Sequence, residues 1–361
     1  MRWTFSTLGI VLLLLAPLAC ASPAAAPAAP AGRPAAALGS ESGGASAPAA
    51  KPEPVTINYA HPVISSQYWH IFIGKEKGLF ADEGIDIEPT FVQAGNPAIA
   101  QGTVSGAYEM ASNSGDVTIT AVEQGGPLAM VAGEADKAVF GIIVQPEIKS
   151  FADFKGKEAV LGAASVRGGT STVFRAVLRS QGLQEGPDFS FVVAGSTSER
   201  MAALRNKAID GGLMGQPQDF MMQDEGLRSL GLTTDYLPYY AMAGVTTRRD
   251  WAAANEDVVV RFLRATIRSI HWLYDPANRA EALTILEQAT KTEPRFAERT
   301  YDLQVEKVKM WPRNAEINNA AIEGTIKVLQ DEGELTGPTP AASKYVDTRY
   351  WEQAIAAVGQ Q

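Results

Sequence analysis

A strand, helix, strand unit occurs twice along the chain, and this repeat restricts the fold more than any other feature. In the first copy Val55, Ile57 and Tyr59 alternate with polar residues as a strand does, and Ser65 or Ser66 is placed to cap the helix that follows "HPVISS". Trp69, Phe72, Ile73 and Lys77 then share one helical face. Gly78 stands where a left-handed C-terminal residue is wanted, and Ile85 and Ile87 return to a period of two. "KEKGLFADEGIDIEP" at 75–89 is echoed by "LRSQGLQEGPDFSFV" at 178–192: a helix ending in Gly-Leu, a polar turn, an alternating strand. Farther on, "SGAYEMA" at 105–111 is echoed by "AIDGGLM" at 208–214. Parallel strands joined through a helix make a right-handed crossover, and the loop after the first strand lies at the sheet edge where open α/β proteins bind ligands. The repeat predicts an α/β protein with two similar lobes.

Two extended segments connect the copies. "AVFGIIVQP" at 138–146 leaves the first, and "YYAMAGVTTRRD" at 239–250 leaves the second. Two crossings between two lobes make a hinge, and lobes closing on a hinge is a recognised way to enclose a small molecule. The expected division is 55–143 with 246–361 as lobe I, carrying the C-terminal helices, and 144–245 as lobe II. Asn255 is read as the cap of the long helix "NEDVVVRFLRATIRSIHWLY".

The N-terminus reads as an export signal over 1–20. Arg2 precedes an apolar run at 8–19 that is too short to span a bilayer, and Leu18-Ala19-Cys20 leads into small residues. Cys20 stands where a lipoprotein signal is cut and acylated. Pro17 occupies the place usually held by Leu, so an ordinary cleavable signal with an incidental cysteine is the alternative. Residues 21–54, rich in Ala, Pro, Gly and Ser, read as a disordered tether that would let a lipid-anchored chain stand off the membrane on the periplasmic or extracellular side. The chain has a net charge of -9, with charges scattered, which argues against nucleic acid as a partner. Its one cysteine excludes a disulfide framework and a Cys-based zinc site; no metal motif or cofactor motif is found.

The segments "IGKEKGLFADEGIDIEP", "GTVSGAYEMASNSGD", "IKSFADFKGKEAVLGAASVRGGTSTVFRAVLRSQGL" and "ALRNKAIDGGLMGQPQD" stand in the same order as in a known family. Over about residues 55–275 the chain resembles the bacterial solute-binding proteins of nitrate, taurine, alkanesulfonate and thiamine-pyrimidine uptake, a family that also contains the yeast pyrimidine-precursor synthase. The resemblance implies a type II periplasmic binding protein fold, two α/β lobes joined by a two-strand hinge. It also implies a small ligand between the lobes, and an ABC permease and ATPase as partners of what is expected to be a monomer.

Four loops would converge on such a cleft. In the first, His61, Ser65, Ser66 and Gln67 offer hydrogen bonds, and Tyr68 or Trp69 a flat face; Trp69 shares a stripe with Phe72 and Ile73, so core packing is the competing reading, and His61 and His70 also have structural readings. In the second, "SNSGD", Asn113, Ser114 and Asp116 begin a helix, Asp116 as N-cap, ligand contact or both. In the third, Arg167, Gly168, Gly169, Thr170 and Ser171 form a glycine-rich anion seat before a helix, without the lysine of a nucleotide loop. In the fourth, Gln216 stands where the resemblance implies ligand contact, and Tyr236, Tyr239 and Tyr240 lie by the return crossing.

The aromatic side chains favour a planar heteroaromatic ligand, a thiamine-precursor pyrimidine or a riboflavin-like compound, and this is the preferred reading. The Gly-Gly-Thr-Ser loop and Arg167 favour an aliphatic sulfonate, taurine or nitrate-type anion, the alternative. An enzyme like the pyrimidine synthase is the reading of another class. That branch carries a cysteine-rich motif which this chain lacks, and no nucleophile, base and orienter set is recognisable. A sensor-linked binding module shares the expected fold.

Overall fold

The computed structural model describes residues 53–359. The expected signal segment, Cys20 and all of the expected tether but its last two residues lie outside that range. The first repeat runs β1 (Val55–His61), α1 (Trp69–Glu76), α2 (Leu79–Asp82), β2 (Ile85–Phe91), α3 (Asn96–Ser105), β3 (Met110–Asn113), α4 (Gly115–Glu123) and β4 (Leu128–Ala135). β5 (Gly141–Val144) follows. The second repeat is β6 (Ala159–Ala163), α5 (Thr170–Ser180), β7 (Phe189–Val193), α6 (Thr197–Arg205), β8 (Gly211–Met214), α7 (Gln218–Asp224) and β9 (Arg228–Leu232). The chain ends with β10 (Ala243–Arg248), α8 (Arg249–Ala254), α9 (Glu256–Tyr274), α10 (Arg279–Thr290), α11 (Pro294–Tyr301), α12 (Asn319–Asp331) and α13 (Arg349–Val358).

Two five-stranded sheets result, in the orders β2-β1-β3-β10-β4 and β7-β6-β8-β5-β9. Position by position, the second order repeats the first. β1 pairs in parallel with β2 and β3, as β6 does with β7 and β8, with Ile57 beside Ile87 and Leu161 beside Phe191. The fourth strand of each sheet is antiparallel and comes from a crossing segment: β10 lies between β3 and β4, and β5 between β8 and β9. Each sheet thus completes itself with a strand from outside its own repeat, so the expected extended links are full sheet members. The expected change of lobe after 143 falls inside β5, all of which pairs in the second sheet; the change after 245 falls inside β10, all of which pairs in the first.

The alternating residues of β1 and β2 and the apolar stripe of α1 meet in the first lobe: Ile57, Tyr59, Trp69, Ile73, Phe80, Ile85 and Ile87 are all buried. α1 ends as its sequence suggests, at Gly78 with a φ of 69°, a conformation that costs a residue with a Cβ more than it costs glycine. α9 lies against α1 and α2. It is tied to the turn after α2 by Arg261, which donates to the Glu83 carbonyl at 2.6 Å, and by Arg264 and Arg268, which pair with the Glu83 carboxylate. Asn255 stands before α9, but its side chain donates back to the Trp251 carbonyl of α8 at 2.9 Å and caps nothing. The second lobe buries Phe154, Leu161, Phe174, Leu178 and Phe189 around its own sheet. No helix among the described residues is long and apolar enough to cross a membrane.

Candidate functional site

A cavity of about 120 Å³ opens between the carboxyl ends of the strands of both sheets. The first lobe contributes Gln67 from the loop after β1, and Phe91, Gln93 and Asn96 from the end of β2 and the loop after it. The second contributes Ser165 and Gly168 to Thr170 after β6, and Ser196, Thr197 and Arg200 at the start of α6; Phe140 and Met242 come from the two crossings. The site therefore lies where the edges of two open sheets face each other.

Among the described residues Arg200 is the only one lining it with a charge. It is 5% exposed and sits in the first turn of α6, which starts with a capping box in which Ser196 and Glu199 satisfy each other's backbone groups. Its Nη1 donates to the Gly195 carbonyl at 2.7 Å and its Nη2 to Thr197 Oγ1 at 3.1 Å, while Nε is buried without an acceptor. No carboxylate pairs with it among the described residues. Burial pushes the guanidinium down to about 10, so it stays protonated at neutral pH. A guanidinium taken out of water without a carboxylate beside it carries an uncompensated charge at the cavity wall.

The expected loops meet the cavity unevenly. Ser65 Oγ caps the short turn Ser66–Tyr68 by accepting the Gln67 N–H at 3.3 Å. Ser66 Oγ donates across the cleft to the Gln216 carbonyl at 3.0 Å. His61 is turned aside: its Nδ1 lies 2.9 Å from the Val63 carbonyl and its ring packs on Tyr68, and burial pulls its pKa down. Tyr68 is buried behind the cavity wall with its phenol accepting from Gln67 Nε2, and its pKa is pushed up by burial and then by the charge of Glu134. Trp69 faces the helices, donating to the Ala282 carbonyl at 2.9 Å with Tyr301 edge-on to it. Core packing, the competing reading of its stripe, describes this placement.

In the second loop Ser114, not Asp116, holds the N-cap position of α4. Asp116 sits one residue inside the helix, and its Oδ2 accepts the Gly169 N–H of the other lobe at 2.6 Å. Asn113 donates to Thr246 Oγ1 at 3.2 Å, leaving its own Oδ1 buried and unpartnered. The glycine-rich loop supplies Gly168, Gly169 and Thr170 to the cavity, and Ser171 Oγ closes the loop on the Gly168 carbonyl at 3.0 Å. Gly169 has a φ of 60°, which lets its N–H point across the cleft at Asp116. Arg167 is turned away: its side chain is 78% exposed, 3.5 Å from Glu334. Gln216 lines a smaller void of about 30 Å³ beside the cavity, where it donates to Asp219 Oδ2 at 2.9 Å and accepts from Gln304 at 2.8 Å. Tyr236 is remote, its hydroxyl donating to the Leu230 carbonyl and its ring edge-on to Phe151.

Phe91, Gln93, Asn96, Ser196, Thr197 and Arg200 were not anticipated. All belong to the end of the second strand of a repeat or to the loop and helix after it. In a doubly wound sheet those loops share an edge with the loops after the first and third strands, so the repeat itself carried the signal. None of the three histidines lines the cavity, and among the described residues no cluster of His, Cys, Asp and Glu is set to hold a metal.

The chain is similar in fold to the periplasmic nitrate-binding protein NrtA from Synechocystis PCC 6803, with a TM-score of 0.70 and 17% identity over 86% of this chain and 91% of that one. It is similar to the ligand-binding component of an ABC-type import system from Staphylococcus aureus, solved with zinc bound: TM-score 0.68, 15% identity, 84% of this chain and 99% of that one. The alkanesulfonate-binding protein SsuA from Xanthomonas axonopodis pv. citri, bound to MOPS, gives 0.64 and 16%, over 81% and 98%. No curated protein matches the chain. These likenesses agree with the periplasmic binding protein fold of two mixed α/β sheets, and the NMT1/THI5-like sequence pattern matches residues 65–280, well over half of the chain. The chain belongs to the NMT1/THI5-like family.

Proposed function

We propose that this chain is the extracytoplasmic solute-binding component of an ABC importer, and that it holds a small anionic solute between its lobes and releases it unaltered. The observation that carries the reading is Arg200, a buried cation without a carboxylate partner, in the wall of an interlobe cavity that is otherwise apolar or neutral. An acid group would lie beside the guanidinium and the hydroxyls of Ser196 and Thr197. The body of the solute would lie against Phe91, Phe140 and Met242, which accept an alkyl chain or a ring. This moves the balance from a neutral heteroaromatic toward an anion, because Tyr68, Trp69 and Tyr236, on which the aromatic reading rested, are engaged elsewhere. Two fold relatives, a nitrate-binding and an alkanesulfonate-binding protein, point the same way.

The permease and ATPase partners, the lipid anchor at Cys20, the monomeric state and a division into two lobes, with the boundaries moved to the starts of β5 and β10, belong to the same proposal. Calorimetric titration with nitrate, taurine, MOPS, a hydroxymethylpyrimidine and riboflavin tests it. At least one of the three acids should bind, and Arg200→Ala should weaken that binding by tenfold or more, the scale of about 1.5–3 kcal/mol for a lost hydrogen bond to a charged group. Binding of a neutral ring with no response to any acid, or an affinity unmoved in Arg200→Ala, would overturn the choice of ligand.

A further inference from the structure

The void of about 30 Å³ beside the cavity shares part of its wall: Val63, Gln67, Phe140 and Thr197 line both. Its polar lining consists of hydroxyls and amides, Ser65, Gln216 and Gln304 among them, and among the described residues no charged one lines it. A space of this size takes a water molecule or the end of a solute, not a whole solute. Gln304 enters the wall from a π-helical stretch, Asp302–Lys307, which follows α11; stretches of this kind are rare and recur at functional sites. Gln304 is 2% exposed. Its Nε2 donates to Gln216 Oε1 at 2.8 Å, while its own Oε1 is buried and finds no donor among the described residues.

The relay that ends at this oxygen has a fixed direction. Asp219 Oδ1 accepts the Phe220 N–H at 2.7 Å, and its Oδ2 accepts Gln216 Nε2 at 2.9 Å. Burial pushes that carboxyl up to about 7, so at pH 8 it is mostly ionised and can only accept. Gln216 must then turn its NH2 to Asp219 and its oxygen to Gln304, and Gln304 must turn its NH2 to Gln216. The oxygen of Gln304 is left as an idle acceptor, and a buried acceptor without a donor costs free energy that a partner in the void would recover. We propose that this void is a specificity pocket in which Gln304 accepts a hydrogen bond from a hydroxyl group of the solute while Arg200 faces its acid group. An ammonium group fits less well. No carboxylate lines the void, and Asp219 stands behind Gln216 with the charge of Arg299 already near it, so the ammonium charge would enter uncompensated. The solute class narrows from any small anion to an acid with a neutral hydroxyl at its far end. The inference rests on the anion reading at Arg200 and adds a second point of recognition to it.

Calorimetric titration of the full chain at pH 8 tests this with short-chain sulfonates and carboxylates of graded length, each ending in a hydroxyl, an ammonium or a methyl group. At the length that reaches both sites, the hydroxyl acid should bind about tenfold or more tightly than its methyl and ammonium counterparts, the scale of a buried acceptor gaining its partner. Gln304→Met keeps the reach of the side chain and removes the acceptor. In that variant the preference should vanish, while the methyl-ended acid binds as it does to the parent. The comparison within the parent needs no variant and decides the matter if Gln304→Met does not fold. A methyl-ended or ammonium-ended acid bound as tightly as its hydroxyl counterpart at every length, or a preference kept in Gln304→Met, would overturn the inference. If those acids still lose affinity in Arg200→Ala, the anion reading stands without it. Binding by none of the series would overturn the inference too, and the anion reading with it if nitrate and MOPS also fail to bind.

Discussion

Burial pushes the Asp219 carboxyl up to about 7, against the opposing hydrogen bonds from Gln216 and the Phe220 N–H and the charge of Arg299. An unfolded aspartate titrates near 3.8, so between about pH 4 and 7 the folded chain keeps a proton that the unfolded chain has released. Stability from this group is therefore largest at low pH and is lost as pH rises through that window. The thermal midpoint should fall between pH 5 and pH 8, and Asp219→Asn should flatten that part of the profile. Equal slopes in the two proteins would show that Asp219 ionises freely. At this scale the sequence was legible where a residue's local spacing decided its surroundings: the helical stripe through Phe72 and Ile73 already offered Trp69 a core position. It was silent on Arg200, whose importance comes from what is missing around it, a carboxylate partner, and absence of a distant neighbour leaves no local trace.

Two glycines in and just after α1 separate steric from conformational constraint. A Cβ on Gly74 would lie 2.4 Å from both the Phe80 ring and Ser269 Oγ, because α2 and α9 converge there. A Cβ on Gly78 would meet nothing within 4 Å, but would hold a left-handed φ. Gly74→Ala should cost about 1–3 kcal/mol through overpacking, and Gly78→Ala about 1 kcal/mol through backbone strain alone. Urea melts give both numbers, and a Gly74 variant as stable as the parent would place α9 farther from α1. The repeat made the parallel cores of both sheets readable, since two parallel strands joined through a helix admit one handed connection. The antiparallel entry of β5 and β10 was not readable. An apolar run such as "FGIIV" announces a strand buried on both faces, but neither its direction nor its partner.

The whole molecule follows from two sheets that each borrow a strand across the hinge. Borrowing sets both carboxyl edges opposite each other, and closure then makes a cavity from loops that neither sheet could form alone. A solute bound there stabilises the chain by mass action, about 2.7 kcal/mol at a hundredfold excess over Kd, and by touching both lobes it adds to the contacts across the cleft. Hydrogen exchange read by mass spectrometry, with and without the acid that binds best, tests this most directly. The prediction is simultaneous protection of four segments, 61–67, 92–96, 165–170 and 195–200, two from each lobe. Protection confined to one lobe, or binding that protects none of the four, would contradict it.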